Sequence, residues 1–256
     1  MHPILFEYGV LKIHSFGVML LIAFFAGLWL AKARAAKLGL PPEGVGDMLF
    51  WTLIAGVLGA RIAYIIQHVP DYAGHWDRLL TLQFQGLTSF GGVILGGALA
   101  IVWARRAKWS VRTMLDVLAP AFILGHIIGR FGCLLNGCCY GAKCELPWAI
   151  HIHDLEGRYH PAQVYDSAMN MVVLFAVLQI ERRGHFRPGQ LFGLVLALHG
   201  VTRIVYEVWR AGASSEYLAG SMFTVAQLAA LILSLVGVAC FFAFSRGRSQ
   251  VTEQTA

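Results

Sequence analysis

The chain has 256 residues, of which 57% are hydrophobic and only 13% charged, with a mean hydropathy of +0.64; that composition excludes an ordinary soluble enzyme and points to a membrane protein. A net charge of +6 would suit nucleic acid if the basic residues clustered on one face, but they fall in short runs between apolar segments, so no nucleic-acid partner is expected. Five cysteines are too few to staple a chain this long, and an odd number leaves at least one unpaired.

A helix needs roughly 20 apolar residues to cross the hydrocarbon layer, because lipid offers no partner to an unpaired backbone group. In chain order, the apolar runs predict spans at 14–33, 47–68, 88–105, 112–131, 166–181, 189–209 and 222–244. The expected fold is an all-α integral membrane protein of about seven transmembrane helices, a single polytopic domain over 1–256. The first run leads into Lys32, Arg34 and Lys37, the reverse of a secretory signal's charge order, and reads as a retained span.

Positive charge near span ends marks the cytoplasmic side. One set of connections carries Lys32, Arg34, Lys37, Arg105, Arg106, Lys108, Arg112, Arg182, Arg183, Arg187, Arg246 and Arg248, and the other only Lys12, Arg78, Lys143, Arg158 and Arg210. The N-terminus is therefore expected outside and the C-terminus in the cytoplasm, with a tail at about 245–256. A long external loop, about 132–165, follows span four, and a loop of that length is expected to carry function or structure of its own.

The remaining basic residues, Arg61, Arg130 and Arg203, lie within or at the rim of predicted spans, where a charge costs about 2.5–3.5 kcal/mol on insertion scales. The topology puts all three in the outer half, level with "HSFG" (14–17) and "LTSFGG" (87–92). Glu207 follows Arg203 by one turn, sharing its face, and Arg210 closes the same segment. A structural ion-pair network explains any one arginine as well as a ligand does. Three arginines with only Glu207 nearby favour an anion, and in this setting a phospholipid phosphate. His199, one turn before Arg203, has a better claim to such a cavity than His126, which reads as a hydrogen-bonded core histidine. Asp116 stands fourteen residues before Arg130, roughly 21 Å along a helix, too far to pair with it. Gly91 and Gly92 serve either close helix packing or an amide cradle for an anion; both readings stay open.

Cys133, Cys138, Cys139 and Cys144 spell C-x4-C-C-x4-C, unlike the paired spacing of zinc sites, so no metal is expected, and no cofactor. A disulfide from Cys138 or Cys139 to Cys144, or buried apolar thiols, come first. A thiolate activated by Arg130 comes second, and metal binding third.

Assembled in order, these segments resemble the prolipoprotein diacylglyceryl transferase family from about residue 13 to 245. "HSFGVMLLIAF" is similar to the family's first span, "GARIAYII" (59–66) to its G-A-R element and "SFGGVILGG" to its S-F-H-G-G-L-I-G stretch. "GRFGCLLNGCCYG" (129–141) resembles its most specific signature, G-R-x-G-N-F-x-N-x-E-x-x-G, and marks a cysteine-containing branch. "HPAQVYD" (160–166) resembles H-P-x-Q-L-Y-E, and "TRIVYEVWR" its late R-x-x-x-E-x-x-R element.

The resemblance implies an enzyme of the bacterial cytoplasmic (inner) membrane, expected as a monomer. It would transfer the diacylglyceryl group of phosphatidylglycerol to the lipobox cysteine of preprolipoproteins, giving a thioether and glycerol phosphate. The matching positions are Arg61, Gly129, Arg130, Gly132, Asn136, Gly137, Gly141, His160, Gln163, Tyr165, Arg203, Glu207 and Arg210. Arg130, Arg203, Glu207 and His199 are expected to be catalytic. Arg61, Asn136, Gly137, Gly141, His160, Gln163, Tyr165, Arg210, Gly91 and Gly92 are expected to bind substrate. Phe16 and Phe90 stand where the family has tyrosine and histidine, Cys133 and Cys138 where it has asparagine and glutamate, and His199 at the late tyrosine position. Removal of the acceptor thiol's proton would then fall to His199 or Glu207, or to ionisation beside Arg130 and Arg203. The alternatives are a phospholipid-binding protein without catalysis and a membrane thiol redox protein.

Overall fold

The computed structural model describes residues 4–8, 11–69, 89–153, 155–184, 186–210 and 223–245. Leu87, Thr88, Arg78, Arg246, Arg248 and the tail beyond Ser245, all invoked above, lie outside the described residues.

Two short antiparallel strands, β1 (Ile4–Tyr8) and β2 (Leu11–His14), precede the first helix, pairing Ile4 with His14 and Tyr8 with Leu11. This hairpin was not anticipated by a reading tuned to long apolar runs. Among the described residues seven helices follow: α1 (Ser15–Lys37), α2 (Pro42–Gln67), α3 (Ser89–Arg106), α4 (Val111–Asn136), α5 (Ala162–Arg183), α6 (Gln190–Arg210) and α7 (Val225–Ser245). Each overlaps one expected span. All but α3 are long and apolar enough to cross a membrane. Its 18 residues end in Arg105 and Arg106 and reach about 27 Å at 1.5 Å per residue, just short of a hydrocarbon layer of about 30 Å.

Helix ends follow local chemistry. Gly39, at φ +74°, releases the chain after α1, and Pro42 starts α2 where its missing N–H has no intrahelical partner to lose. Asp116 of α4 accepts the backbone N–H groups of Gly189 at 2.6 Å and Phe192 at 2.8 Å, putting a carboxylate on the positive end of α6.

The chain divides into two compact units, residues 32–114 and residues 1–31 with 115–256. In the first unit, α2 and α3 approach backbone to backbone: a Cβ on Gly91 would run into the Gly59 carbonyl and the Ala63 side chain, and one on Gly92 would stand 3.0 Å from the Gly56 carbonyl oxygen. Gly91 and Gly92 thus let α2 and α3 pack closely. Arg61 sits on α2 with its guanidinium carbon 5.8 Å from the Tyr64 ring centre. Phe90, at the family's histidine position, is 79% exposed.

In the second unit the core joins Ala119, Ile123 and Ile127 of α4 to Val173 and Val177 of α5 and Leu191 and Val195 of α6. α7 packs on α6 through Gly193, Gly200 and Gly237, where any Cβ would strike facing backbone, and Ser234 donates to the Ala197 carbonyl at 3.1 Å. The outward faces stay apolar, as lipid contact requires: Phe25, Trp29, Phe122, Val172, Phe175 and Leu235 are all exposed. The connection from α4 to α5 is shorter than expected, because α4 runs to Asn136 and α5 starts at Ala162. It has structure of its own, with Tyr159 bridged to Lys143 and Ile150.

A candidate active site between α4, α5 and α6

Arg130, on α4, places its Nε 2.5 Å from Oδ2 of Asp166 on α5, and only 1% of the Asp166 side chain is exposed. The sequence reading missed this pairing: Arg130 is an arginine with a carboxylate partner, and Asp166 is the last letter of "HPAQVYD". His126, one turn before Arg130, brings Nε2 to 3.1 Å from the same Oδ2 and 3.4 Å from Arg130 Nε. One ring nitrogen cannot both donate to the carboxylate and accept from the guanidinium; the shorter contact to a charged oxygen decides, so Nε2 carries the hydrogen.

From Asp166 the chain of hydrogen bonds runs on to α6. Asn170 Nδ2 donates to Asp166 Oδ1 at 2.7 Å, which turns Asn170 Oδ1 toward His199 Nδ1 at 2.8 Å. An amide oxygen only accepts, so His199 holds its hydrogen on Nδ1 and leaves Nε2 as the acceptor. His199 also lines an apolar cavity of about 210 Å³, together with Leu115, Leu118, Phe122, Val195 and Leu196 among others.

Two turns further along α6, the fully buried Tyr206 gathers three guanidinium groups around its ring: Arg203 at 4.7 Å, Arg130 at 4.9 Å and Arg210 at 5.9 Å from the centre. An electron-rich ring face lets like charges approach one another. Glu207 supplies the counter-charge, 3.2 Å from Arg203 and 4.0 Å from Arg210, so the shared helix face read from the sequence is present. Arg203 Nη1 is buried and has no hydrogen-bond partner among the described residues, which is costly unless a ligand supplies one.

The thiol segment packs beside this cluster. α4 ends on Gly137 at φ +73°, with Gly137 N–H donating to the Leu134 carbonyl at 3.2 Å and Cys138 N–H to the Cys133 carbonyl at 3.0 Å. That is a Schellman ending, and it brings the side chains on either side of the turn, here Cys133 and Cys138, into contact. Cys139, also in the left-handed region at φ +64°, adds a third sulfur, so that all three lie within 4.8 Å of one another. Gln163 donates to the Cys138 carbonyl at 2.6 Å and Tyr206 to the Cys139 carbonyl at 3.2 Å. Thiol hydrogen bonds from Cys133 and Cys138, with the charges of Arg130 and Arg210, hold the Cys139 thiol well below the usual thiol range.

The cysteines are free, so the disulfide to Cys144 is not formed. The Schellman turn directs Cys138 and Cys139 back to Cys133, while Cys144 is tied to the α5 side by its N–H on the Arg158 carbonyl at 2.9 Å. The group of three sulfurs could hold a metal ion, which the linear spacing did not suggest.

The other expected site residues secure this wall. Asn136 ends α4 and reaches the Cys138 thiol. Gly141 lies against the Trp209 carbonyl oxygen, 2.5 Å from where a Cβ would stand, and donates to the His160 carbonyl at 2.9 Å. His160 Nδ1 and Trp148 Nε1 lie 3.3 and 2.7 Å from the Tyr165 hydroxyl. Arg61, Gly91 and Gly92 belong to the other unit. Sequence reasoning overlooked Asp166, Asn170 and Tyr206: each sits within a helical run whose apolar neighbours dominated the reading.

The sequence model of the family described as prolipoprotein diacylglyceryl transferase matches residues 3–243. Among similar curated proteins, each called phosphatidylglycerol–prolipoprotein diacylglyceryl transferase, that of Clostridium tetani is 29% identical over 94% of this chain and 97% of its own length. The protein of Nitratidesulfovibrio vulgaris is 34% identical over 92% and 91%, and that of Chromohalobacter salexigens 31% identical over 93% and 90%. A match that reaches into every described helix and takes in the whole arginine cluster makes the chain a member of the prolipoprotein diacylglyceryl transferase family.

Proposed function

We propose that this chain transfers the diacylglyceryl group of phosphatidylglycerol to the lipobox cysteine thiol of preprolipoproteins, releasing glycerol phosphate. The observation that carries this reading is the gathering of Arg130, Arg203 and Arg210 around Tyr206, with Arg203 Nη1 unpartnered among the described residues. Breaking the glyceryl carbon–oxygen bond makes phosphate the leaving group, and fixed guanidinium donors stabilise the charge that develops on it.

Within this reading Arg130 and Arg203 bind the phosphate, and Glu207 orients the guanidinium groups of Arg203 and Arg210. Glu207 is engaged by Arg203 and Arg210, whereas His199 presents Nε2 as an acceptor, so His199 takes the proton of the acceptor thiol. Asn136, Gly137, Gly141, His160, Gln163 and Tyr165 shape the substrate pocket. The chain is read as a multi-pass monomer of the bacterial inner membrane, and the charge bias of the connections supports an outside N-terminus, a cytoplasmic C-terminus and an α4-to-α5 connection on the outer side.

The test is incubation of the purified protein with phosphatidylglycerol and a lipobox peptide. Loss of the peptide thiol together with the mass gain of one diacylglyceryl group is expected. Lipid binding without product would reduce the protein to a phospholipid-binding relative.

A further inference from the structure

The sulfur atoms of Cys133, Cys138 and Cys139 lie within 4.8 Å of one another, each partly accessible. The backbone holds them there: the Schellman ending fixes Cys133 against Cys138, while Gln163 and Tyr206 clamp the carbonyls of Cys138 and Cys139. Zinc–sulfur bonds of about 2.3 Å in a tetrahedron require sulfur separations of about 3.8 Å, so side-chain rotations closing roughly 1 Å are enough. Among the described residues no fourth histidine, cysteine or carboxylate joins the group. Three protein ligands with an open position is the pattern of reactive zinc, whereas structural sites are closed. Three thiolates and a divalent ion leave one negative charge, and Arg130 and Arg210 stand at the ring of Tyr206, whose hydroxyl donates to the Cys139 carbonyl.

We propose that Cys133, Cys138 and Cys139 hold a zinc ion whose open fourth position takes the acceptor cysteine as a thiolate. The inference rests on the transferase reading and deepens it. Coordination ionises a thiol outright, and the acceptor's proton leaves to His199 Nε2. The sulfur lone pair then forms the carbon–sulfur bond while the glyceryl carbon–oxygen bond breaks, its electron pair departing on the phosphate oxygen beside Arg130 and Arg203. Zinc is neither oxidised nor reduced. A metal also accounts for a chain in which Phe16 and Phe90 stand at positions that resemble the family's tyrosine and histidine: a metal-bound thiolate needs no strong base.

The full chain, purified in detergent under reducing conditions, is measured for zinc content and then exchanged with cobalt(II). One zinc per chain is expected, with sulfur-to-cobalt charge-transfer bands in the near ultraviolet and tetrahedral bands in the red. Cys133→Ser and Cys139→Ser should each retain zinc at least roughly tenfold more weakly, whereas Cys144→Ser and Cys240→Ser should retain it fully. Elution and melting profiles identify any variant that fails to fold. A lipobox peptide should shift the cobalt bands, and its Cys→Ser counterpart should not. Absence of zinc and of charge-transfer bands in the parent protein overturns the site, and bands indifferent to the peptide overturn the acceptor position. Full-rate transfer by metal-stripped protein overturns the zinc role while the transferase reading stands. Zinc with a peptide response but no transfer supports the site and removes the transferase reading alone.

Discussion

Arg130 and Asp166 meet at 2.5 Å, an α4 guanidinium on an α5 carboxylate, with 14% and 1% of the side chains exposed. Asp166 also receives His126 and Asn170, so it fixes Arg130 while coupling it to His199 through one amide. Truncating one partner of a buried pair strands the other charge, at a cost of about 3–5 kcal/mol. Asp166→Ala should therefore lower the unfolding midpoint sharply and abolish transfer. Asp166→Glu should recover part of the stability. Unfolding in detergent checks both, and an unchanged midpoint for Asp166→Ala would remove Asp166 as the anchor of the site.

Arg203 differs from Arg130 in having an unpartnered buried nitrogen, Nη1. If that nitrogen serves the leaving phosphate, the planar fork matters more than the charge. Arg203→Lys keeps a cation near Glu207 yet should cost about 10²-fold in kcat/KM, the usual effect of losing one oriented donor, with the unfolding midpoint little changed. Initial rates across phosphatidylglycerol concentrations give the answer.

The helices were legible because apolar length is a strong signal: the seven expected spans and the seven helices overlap one for one. Arg203 and Glu207 were legible too, since a four-residue spacing fixes a shared face. Asp166, forty residues from His126, was not, because nothing in a local pattern says which helices adjoin. The thiols show the same division. The Gly137 turn that joins Cys133 to Cys138 can be read from C-x4-C with glycine in between, but the left-handed Cys139 that completes the triad cannot.

Gly129 and Gly141 both match the family signature, yet the structure separates them. A Cβ at Gly141 would lie 2.5 Å from the Trp209 carbonyl oxygen and 2.8 Å from His160 Cβ, whereas one at Gly129 meets nothing within 4 Å. Gly141→Ala must push apart the segment that joins α6 to His160, with an expected destabilisation of about 1–3 kcal/mol and loss of transfer. Gly129→Ala, in a helix interior with room to spare, should match or exceed the parent in stability. Parallel unfolding curves for the two variants decide it.

Asp116 offers a test of stability apart from chemistry. Its carboxylate caps α6 by accepting from Gly189 and Phe192, while Arg203 lies thirteen residues beyond Gln190, about 20 Å along the helix. Asp116→Ala strips the cap and should cost about 1–2 kcal/mol. Asp116→Asn keeps an acceptor but loses the charge that favours a helix N-terminus, so it should cost less. Transfer per folded molecule should stay at the parent level in both, because α6 need only keep its register for Arg203, Tyr206 and Glu207 to remain in place. A fall in turnover without a fall in stability would mean that the far end of α6 moves during the reaction, and that the arginine cluster is assembled by that motion and not held ready.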